Sequence, residues 1–187
     1  STSVPRKMAV LGDEGCGKTS FLAFAGVGRV ADPPKQYCNV IDYVVNGKKV
    51  SFTVFDGDFD EDFPNLRLLE CSLADVLLIC FSIDCPNFLT NIKSRCGRYA
   101  ARLKDGVPII LVGLKADLRK DDTSEAKLSQ QAQMLVQFND GLAAAHEIGA
   151  KSYLECSSVT GQGVREVLET AAILSLEKRK THSCFIL

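Results

Sequence analysis

Apolar positions along this chain fall into short runs divided by polar or glycine-rich stretches. Met8-Ala9-Val10-Leu11, Val76 to Ile83 and Ile109-Ile110-Leu111-Val112-Gly113 are continuously apolar. Runs this short and uniform predict strands covered on both faces. Val40-Ile41-Asp42-Tyr43-Val44-Val45 and Val50-Ser51-Phe52-Thr53-Val54-Phe55 flank Asn46-Gly47. That dipeptide suits the left-handed backbone of a two-residue turn, so these two runs are expected to pair antiparallel. A last short strand is expected at Tyr153-Leu154-Glu155-Cys156.

Helical segments are expected between the strands. One begins at Thr19-Ser20-Phe21-Leu22, a short one spans Leu66 to Cys71, and one of interleaved apolar and basic residues spans Asn87 to Lys104. Gly106-Val107-Pro108 stops the third. A polar, glutamine-rich pattern from about 124 to 138 has Leu128, Met134 and Leu135 as its apolar points, and another helix lies near Leu142 to Ile148. The final helix follows Gly161-Gln162-Gly163, with Val164, Val167, Leu168, Ala171 and Leu174 on one face. Gly26 to Pro34 shows no period and reads as a long surface loop; Asp56 to Asp62 reads as a charged loop. The alternation predicts an α/β fold of three layers: a six-stranded, mostly parallel sheet with one antiparallel strand and helices on both faces. The expected organisation is one domain over 1–177 and a basic tail over 178–187.

Composition narrows the class. The 187 residues suffice for one substantial core, and 46% hydrophobic with 24% charged residues is ordinary for a globular protein. A net charge of −1 argues against nucleic acid as a bulk electrostatic partner. The eight cysteines are scattered, form no C-x-x-C, and in part sit inside apolar runs such as Leu77-Leu78-Ile79-Cys80-Phe81. This favours reduced, buried thiols over a disulfide framework or zinc site. With no signal-peptide pattern and no apolar stretch of bilayer length, a cytosolic body is expected.

The chemistry concentrates in Gly12-Asp13-Glu14-Gly15-Cys16-Gly17-Lys18-Thr19, which fits the phosphate-loop pattern G-x-x-x-x-G-K-[S/T] between a strand and a helix. Glycines let backbone N–H groups turn inward around phosphate oxygens at the positive end of a helix dipole. Lys18 is expected to reach terminal phosphates, and the Thr19 hydroxyl to bind Mg²⁺. In such folds ligands lie beyond the carboxyl ends of the strands. Asp56 is expected at one such end, holding Mg²⁺ through water. Leu114-Lys115-Ala116-Asp117 follows another, and the Asp117 carboxylate suits the N1–H and N2–H donors of guanine. Ser157 and Ser158 follow a third, their backbone N–H groups offered to guanine O6.

These segments, with Asp117-Leu118-Arg119, Tyr153-Leu154-Glu155-Cys156-Ser157 and Gly163-Val164-Arg165-Glu166-Val167, resemble the small GTPases, and the Rho family in particular. The resemblance implies a phosphate-loop NTPase fold and a nucleotide site at Glu14, Gly15, Cys16, Gly17, Lys18, Thr19, Ser20, Asp56, Lys115, Asp117, Ser157 and Ser158. It implies GTP or GDP with Mg²⁺ as the ligands, and effector and regulator proteins as partners. The segment at 124–138 lies where Rho proteins carry an insert helix. The family role is signalling from a membrane to the actin cytoskeleton. Cys184-Phe185-Ile186-Leu187 fits C-a-a-X, whose final leucine favours geranylgeranyl, and Lys178-Arg179-Lys180 supplies an adjoining basic patch. The expected location is the cytoplasmic face of a membrane, the plasma membrane first among candidates, with a cytosolic pool.

Departures from the family pattern fall on hydrolysis. No serine or threonine occurs between Ser20 and Ser51, and Pro34 stands near the place of a threonine that senses the γ-phosphate. In the second switch, Asp56-Gly57-Asp58-Phe59-Asp60 replaces D-x-x-G-Q, so Phe59 stands for the flexible glycine and Asp60 for the water-orienting glutamine. Glu14 replaces a glycine beside the γ-phosphate, and Leu114 an asparagine. No catalytic residue is intact on this reading. The sequence admits either a nucleotide-binding signalling protein with impaired hydrolysis or an interaction module that binds nucleotide weakly or not at all.

Overall fold

The computed structural model describes residues 3–28, 40–59, 64–90, 92–104, 106–120 and 135–177. Strands β1 (Val4–Gly12), β2 (Val40–Val45), β3 (Lys48–Asp58), β4 (Val76–Ser82), β5 (Ile109–Leu114) and β6 (Ser152–Glu155) form a single sheet in the order β2-β3-β1-β4-β5-β6. Only the β2–β3 pair is antiparallel. Its turn has φ of 49° at Asn46 and 72° at Gly47, the left-handed pair that the dipeptide foretold.

Alternation along the strands divides the core in two. Met8 and Val10 of β1, with Leu78 and Cys80 of β4, face one side. There they meet Phe21 and Leu22 of α1 (Lys18–Val27) and Val164, Val167, Leu168 and Ala171 of α6 (Val164–Leu176). Ala9 and Leu11, with Leu77, Ile79 and Phe81, face the other. That side is covered by α2 (Pro64–Leu73), α3 (Asn87–Thr90), α4 (Ile92–Ala100) and α5 (Phe138–Glu147) through Cys71, Phe88, Ile92, Cys96, Tyr99, Ala144 and Ala145. The two apolar faces explain why the central strands read as unbroken hydrophobic runs.

Some boundaries move. The segment expected as one helix from Asn87 to Lys104 is helical over 87–90 and 92–100. Leu135, Val136 and Gln137, expected as the end of a helix over 124–138, are not helical. Val136 N–H instead donates to Ile83 O at 2.8 Å, tying this segment to the end of β4, and α5 starts directly afterwards. Residues 124–134 of that expected helix lie outside the described residues, as do Pro34, Asp60, Lys178, Arg179, Lys180 and Cys184. Among the described residues no helix is long and apolar enough to cross a membrane.

Candidate functional site

β1 and β3 run parallel in register, with Val10 opposite Asp56 and Gly12 opposite Asp58. The loop after β1 and the last turn of β3 therefore emerge side by side at the carboxyl edge of the sheet. Between them lies a cleft of about 290 Å³. Glu14, Gly15, Gly17, Lys18, Thr19 and Ser20 form one wall; Asp56, Gly57 and Asp58 form the other. The loop turns through positive φ at Gly15 (72°) and Gly17 (108°), values that a side chain would strain. Gly17 is also the N-cap of α1, and no side chain caps that helix. Its first-turn amides and dipole are thus aimed at the cleft, the arrangement that anions favour.

Lys18 is 6% exposed. Its ammonium donates to Gly12 O at 3.2 Å, to Asp13 O at 2.8 Å and to the carboxylate of Asp58, with Cys16 Sγ at 3.9 Å. Burial is the largest single influence on this amine and disfavours its charge, but Cys16 and the carboxylates of Asp58 and Asp56 outweigh it, so its pKa is raised. Cys16 is buried against Cys80 O, and burial, the largest influence on it, raises its pKa against the pull of Lys18. Glu14 and Thr19 are exposed at the mouth and Ser20 is half-buried.

β3 does not stop at Asp56, where the sequence reading ended it; it runs on through Gly57 to Asp58. Two carboxylates two residues apart thus share the strand end. Asp58, assigned from sequence to a solvated acidic loop, becomes the lysine's ion-pair partner. The i, i+2 spacing of two aspartates at a strand terminus was the signal available for it. Gly57 lies close against α2: a Cβ there would lie 2.4 Å from Arg67 Nε, so that side chain would have to shift.

Phe59 is 3% exposed and belongs to the core beneath α3 and α4. Its ring centroid lies 5.3 Å from that of Tyr99 and 6.1 Å from that of Phe88, and the Arg95 guanidinium sits over it at 5.7 Å. Its amide donates to Gly12 O at 3.3 Å, and its carbonyl accepts from the Tyr99 hydroxyl at 2.6 Å. Arg95 also ion-pairs with Asp13, fastening α4 to the phosphate loop. None of these ties was visible in the sequence, because each joins residues at least 29 positions apart.

On the other side of the loop, β5 delivers Leu114, Lys115 and Asp117. The buried Leu114 side chain packs toward Gly17, and the Lys115 stem passes the same glycine. Lys115 Nζ lies 3.6 Å from Asp84. Asp117 lies in a short 3₁₀ segment, Ala116–Lys120, and accepts from the Ser157 hydroxyl. That hydroxyl oxygen in turn accepts from the amides of Val159 and Thr160, each at 3.2 Å. Ser157 N–H donates to Gln162 O at 2.9 Å and closes its own loop, while its side chain holds Asp117. Ser158 follows it, half-buried. Arg119 bridges the same region, donating to both carboxylate oxygens of Glu155 and to Val136 O.

Thr19 and Asp56 offer a hydroxyl and a carboxylate on facing walls, a hard-oxygen set that suits Mg²⁺. Among the described residues no three His, Cys, Asp or Glu side chains are grouped to hold a metal by themselves. An ion at this place fits as one completed by phosphate oxygens and water.

The comparisons agree with this geometry. The family model described as Ras family matches residues 7–176. The chain is 41% identical over 189 residues to the GTP-binding protein RHO1 of Candida albicans, covering 97% of this chain and 96% of that protein. It is 41% identical over 184 residues to the GTP-binding protein RHO1 of Saccharomyces cerevisiae, with 96% and 88% covered. With the Rho-related GTP-binding protein RhoB of Homo sapiens it shares 39% identity over 180 residues, 95% and 92% covered. A phosphate loop at the edge of a six-stranded sheet and full-length similarity to Rho proteins lead to one conclusion: this chain is a small GTPase of the Ras family, in its Rho branch.

Proposed function

We propose that this Rho-type chain binds GTP or GDP with Mg²⁺, acts as a signalling protein on the cytoplasmic face of a membrane, and hydrolyses GTP slowly or not at all. The loop amides and Lys18 bind phosphates, Thr19 and Asp56 hold the metal, and Asp117, braced by Ser157, selects guanine beside the Lys115 stem. Bound Mg²⁺ would neutralise phosphate charge.

The observation that carries the hydrolysis reading is the fastening of Phe59. In the family pattern a glycine here moves its amide to the γ-phosphate; in this chain the amide is bonded to Gly12 O and the side chain is a core residue. Asp60 stands in the sequence where the family has its water-orienting glutamine, a carboxylate in place of an amide, and Glu14 narrows the space for an arginine finger. An intact site works at only ~10⁻⁴ to 10⁻³ per second unaided, and a finger adds ~10³–10⁵. Extraction and identification of bound nucleotide, followed by single-turnover GTP cleavage, tests this. Bound guanine nucleotide with cleavage below the unaided rate is expected; family-typical turnover refutes the hydrolysis reading.

Geranylgeranylation at Cys184 with Lys178, Arg179 and Lys180 anchors the chain, with the plasma membrane as its site, effector and regulator proteins as its partners and the actin cytoskeleton as its target. Cys184→Ser is expected to move the protein to the soluble fraction; retention on membranes refutes the anchor. One observation favours the second reading, an interaction module with weak nucleotide affinity: the phosphate-loop lysine is already bonded to oxygens of its own chain. Failure to recover guanine nucleotide, or to load it with Mg²⁺, selects that reading.

A further inference from the structure

We infer that Asp58 is a built-in stand-in for the terminal phosphate, making the site selective for a nucleoside diphosphate over a triphosphate. The inference rests on the nucleotide-binding reading above and adds which ligand the site prefers and why. An ammonium has three N–H donors, and four acceptors surround that of Lys18: Gly12 O, Asp13 O, Cys16 Sγ and Asp58 Oδ1. Two are carbonyls that stay where the backbone holds them, and the sulfur is a weak, distant acceptor at 3.9 Å. Asp58 is the one carboxylate among them and the strongest competitor, so a phosphate oxygen that takes a donor from Lys18 does so chiefly against Asp58.

Displacement leaves that carboxylate in place as a charge, since Asp58 is fixed to the last position of β3 opposite Gly12. Its side chain is one-third exposed, against 6% for Lys18, so it faces into the cleft from the solvent side of the ammonium. The same cleft already carries the carboxylates of Glu14 and Asp56. A ligand phosphate thus meets three acidic side chains on its walls and one lysine. Repulsion at a few ångströms in a partly desolvated site is strong, and it grows with each phosphate charge. Mg²⁺ offsets part of it for either nucleotide.

A second group works in the same direction. The Phe59 amide, the next donor along the chain, is spent on Gly12 O, and the ring holds it there against Tyr99 and Phe88. A terminal phosphate therefore gains neither the lysine nor this amide. The inner phosphates lose less, because the left-handed glycines and the uncapped N-terminus of α1 remain directed at the cleft. The site is built for the shorter ligand.

Equilibrium titration with fluorescent GDP and with a fluorescent non-hydrolysable GTP analogue, both in excess Mg²⁺, tests the inference. The proteins are the full chain and its Asp58→Ala, Asp58→Asn and Glu14→Gly variants, each checked for a cooperative melt. The unaltered chain is expected to bind GDP at least tenfold tighter than the GTP analogue, a difference of about 1.4 kcal/mol. Asp58→Ala and the near-isosteric Asp58→Asn are expected to tighten the triphosphate at least tenfold while changing GDP affinity less. Triphosphate uptake that appears only in the Asp58 variants also supports the inference. Equal affinities in the unaltered chain overturn it while leaving nucleotide binding intact. A ratio unmoved by either Asp58 change but restored by Glu14→Gly overturns it in favour of Glu14. If none of the folded proteins binds either nucleotide, the nucleotide-binding reading fails and this inference falls with it.

Discussion

Replacing Phe59 by alanine probes the feature that most separates this site from a mobile switch. The side chain is 3% exposed and packs on Phe88 and Tyr99 with the Arg95 guanidinium above it. Truncating a buried phenylalanine costs about 3–5 kcal/mol through lost transfer energy and the cavity left behind. For a chain of this size each kcal/mol lowers the melting temperature by roughly 2–4 °C, so the expected fall is roughly 6–20 °C. Phe59→Leu, which keeps much of the apolar volume, is expected to cost less than about 1.5 kcal/mol. Tyr99→Phe removes only the hydroxyl that donates to Phe59 O and is expected to cost about 1–3 kcal/mol, because the buried carbonyl loses a donor. The assay is urea unfolding at 25 °C with nucleotide and Mg²⁺ held constant, since any ligand bound to the folded state shifts the midpoint. A loss below about 1 kcal/mol for Phe59→Ala refutes the reasoning: the ring would then contribute nothing as a core residue, and the segment would be as free as the glycine it replaces.

Gly57→Ala places a methyl group against Arg67, which is held by its ion pair with Glu70 at 2.5 Å. A loss of about 1–3 kcal/mol is expected, largely restored by Arg67→Ala in the same chain; an unaltered melt for the single variant contradicts the close approach. Alkaline stability follows from the buried thiols. Burial raises Cys71, Cys96 and Cys156 from 9.0 to about 12. The folded state therefore holds these protons more tightly than the unfolded chain does. Their stabilisation is complete below pH 9 and is lost as pH rises from about 9 to about 12, by up to about 1.4 kcal/mol per pH unit for each thiol. Unfolding free energies measured between pH 8 and 10.5 check this, and a flat profile above pH 9 refutes it.

The strands, the Asn46-Gly47 turn and the phosphate loop were legible because local chemistry sets them. A run such as Leu77 to Phe81 is viable only between two apolar layers, and the glycines at 15 and 17 admit a backbone that other residues resist. Asp117 and Lys115 could be placed for a related reason: each directly follows a buried strand, and strand ends define where the site lies. The partners of those residues were not legible. The bonds of the Ser157 amide to Gln162 O and of its hydroxyl to Asp117 are set by the loop that the fold closes there.

Asp58 and Phe59 mark the boundary most clearly. Their letters show that Phe59 stands for a flexible glycine and that Asp58 precedes it at an unrestricted position of the pattern, and nothing more. A carboxylate in an acidic stretch is solvated by default, and a phenylalanine after it could lie on the surface or in the core. The parallel register of β1 with β3 decides both, setting Asp58 opposite Gly12 within reach of Lys18 and turning Phe59 onto Tyr99 and Phe88. Local propensity acts over a few residues, whereas the Lys18–Asp58 and Phe59–Tyr99 contacts each span 40. The family could be read from residues near one another in the chain; the carboxylate partner of Lys18 emerged only when the sheet brought distant residues together.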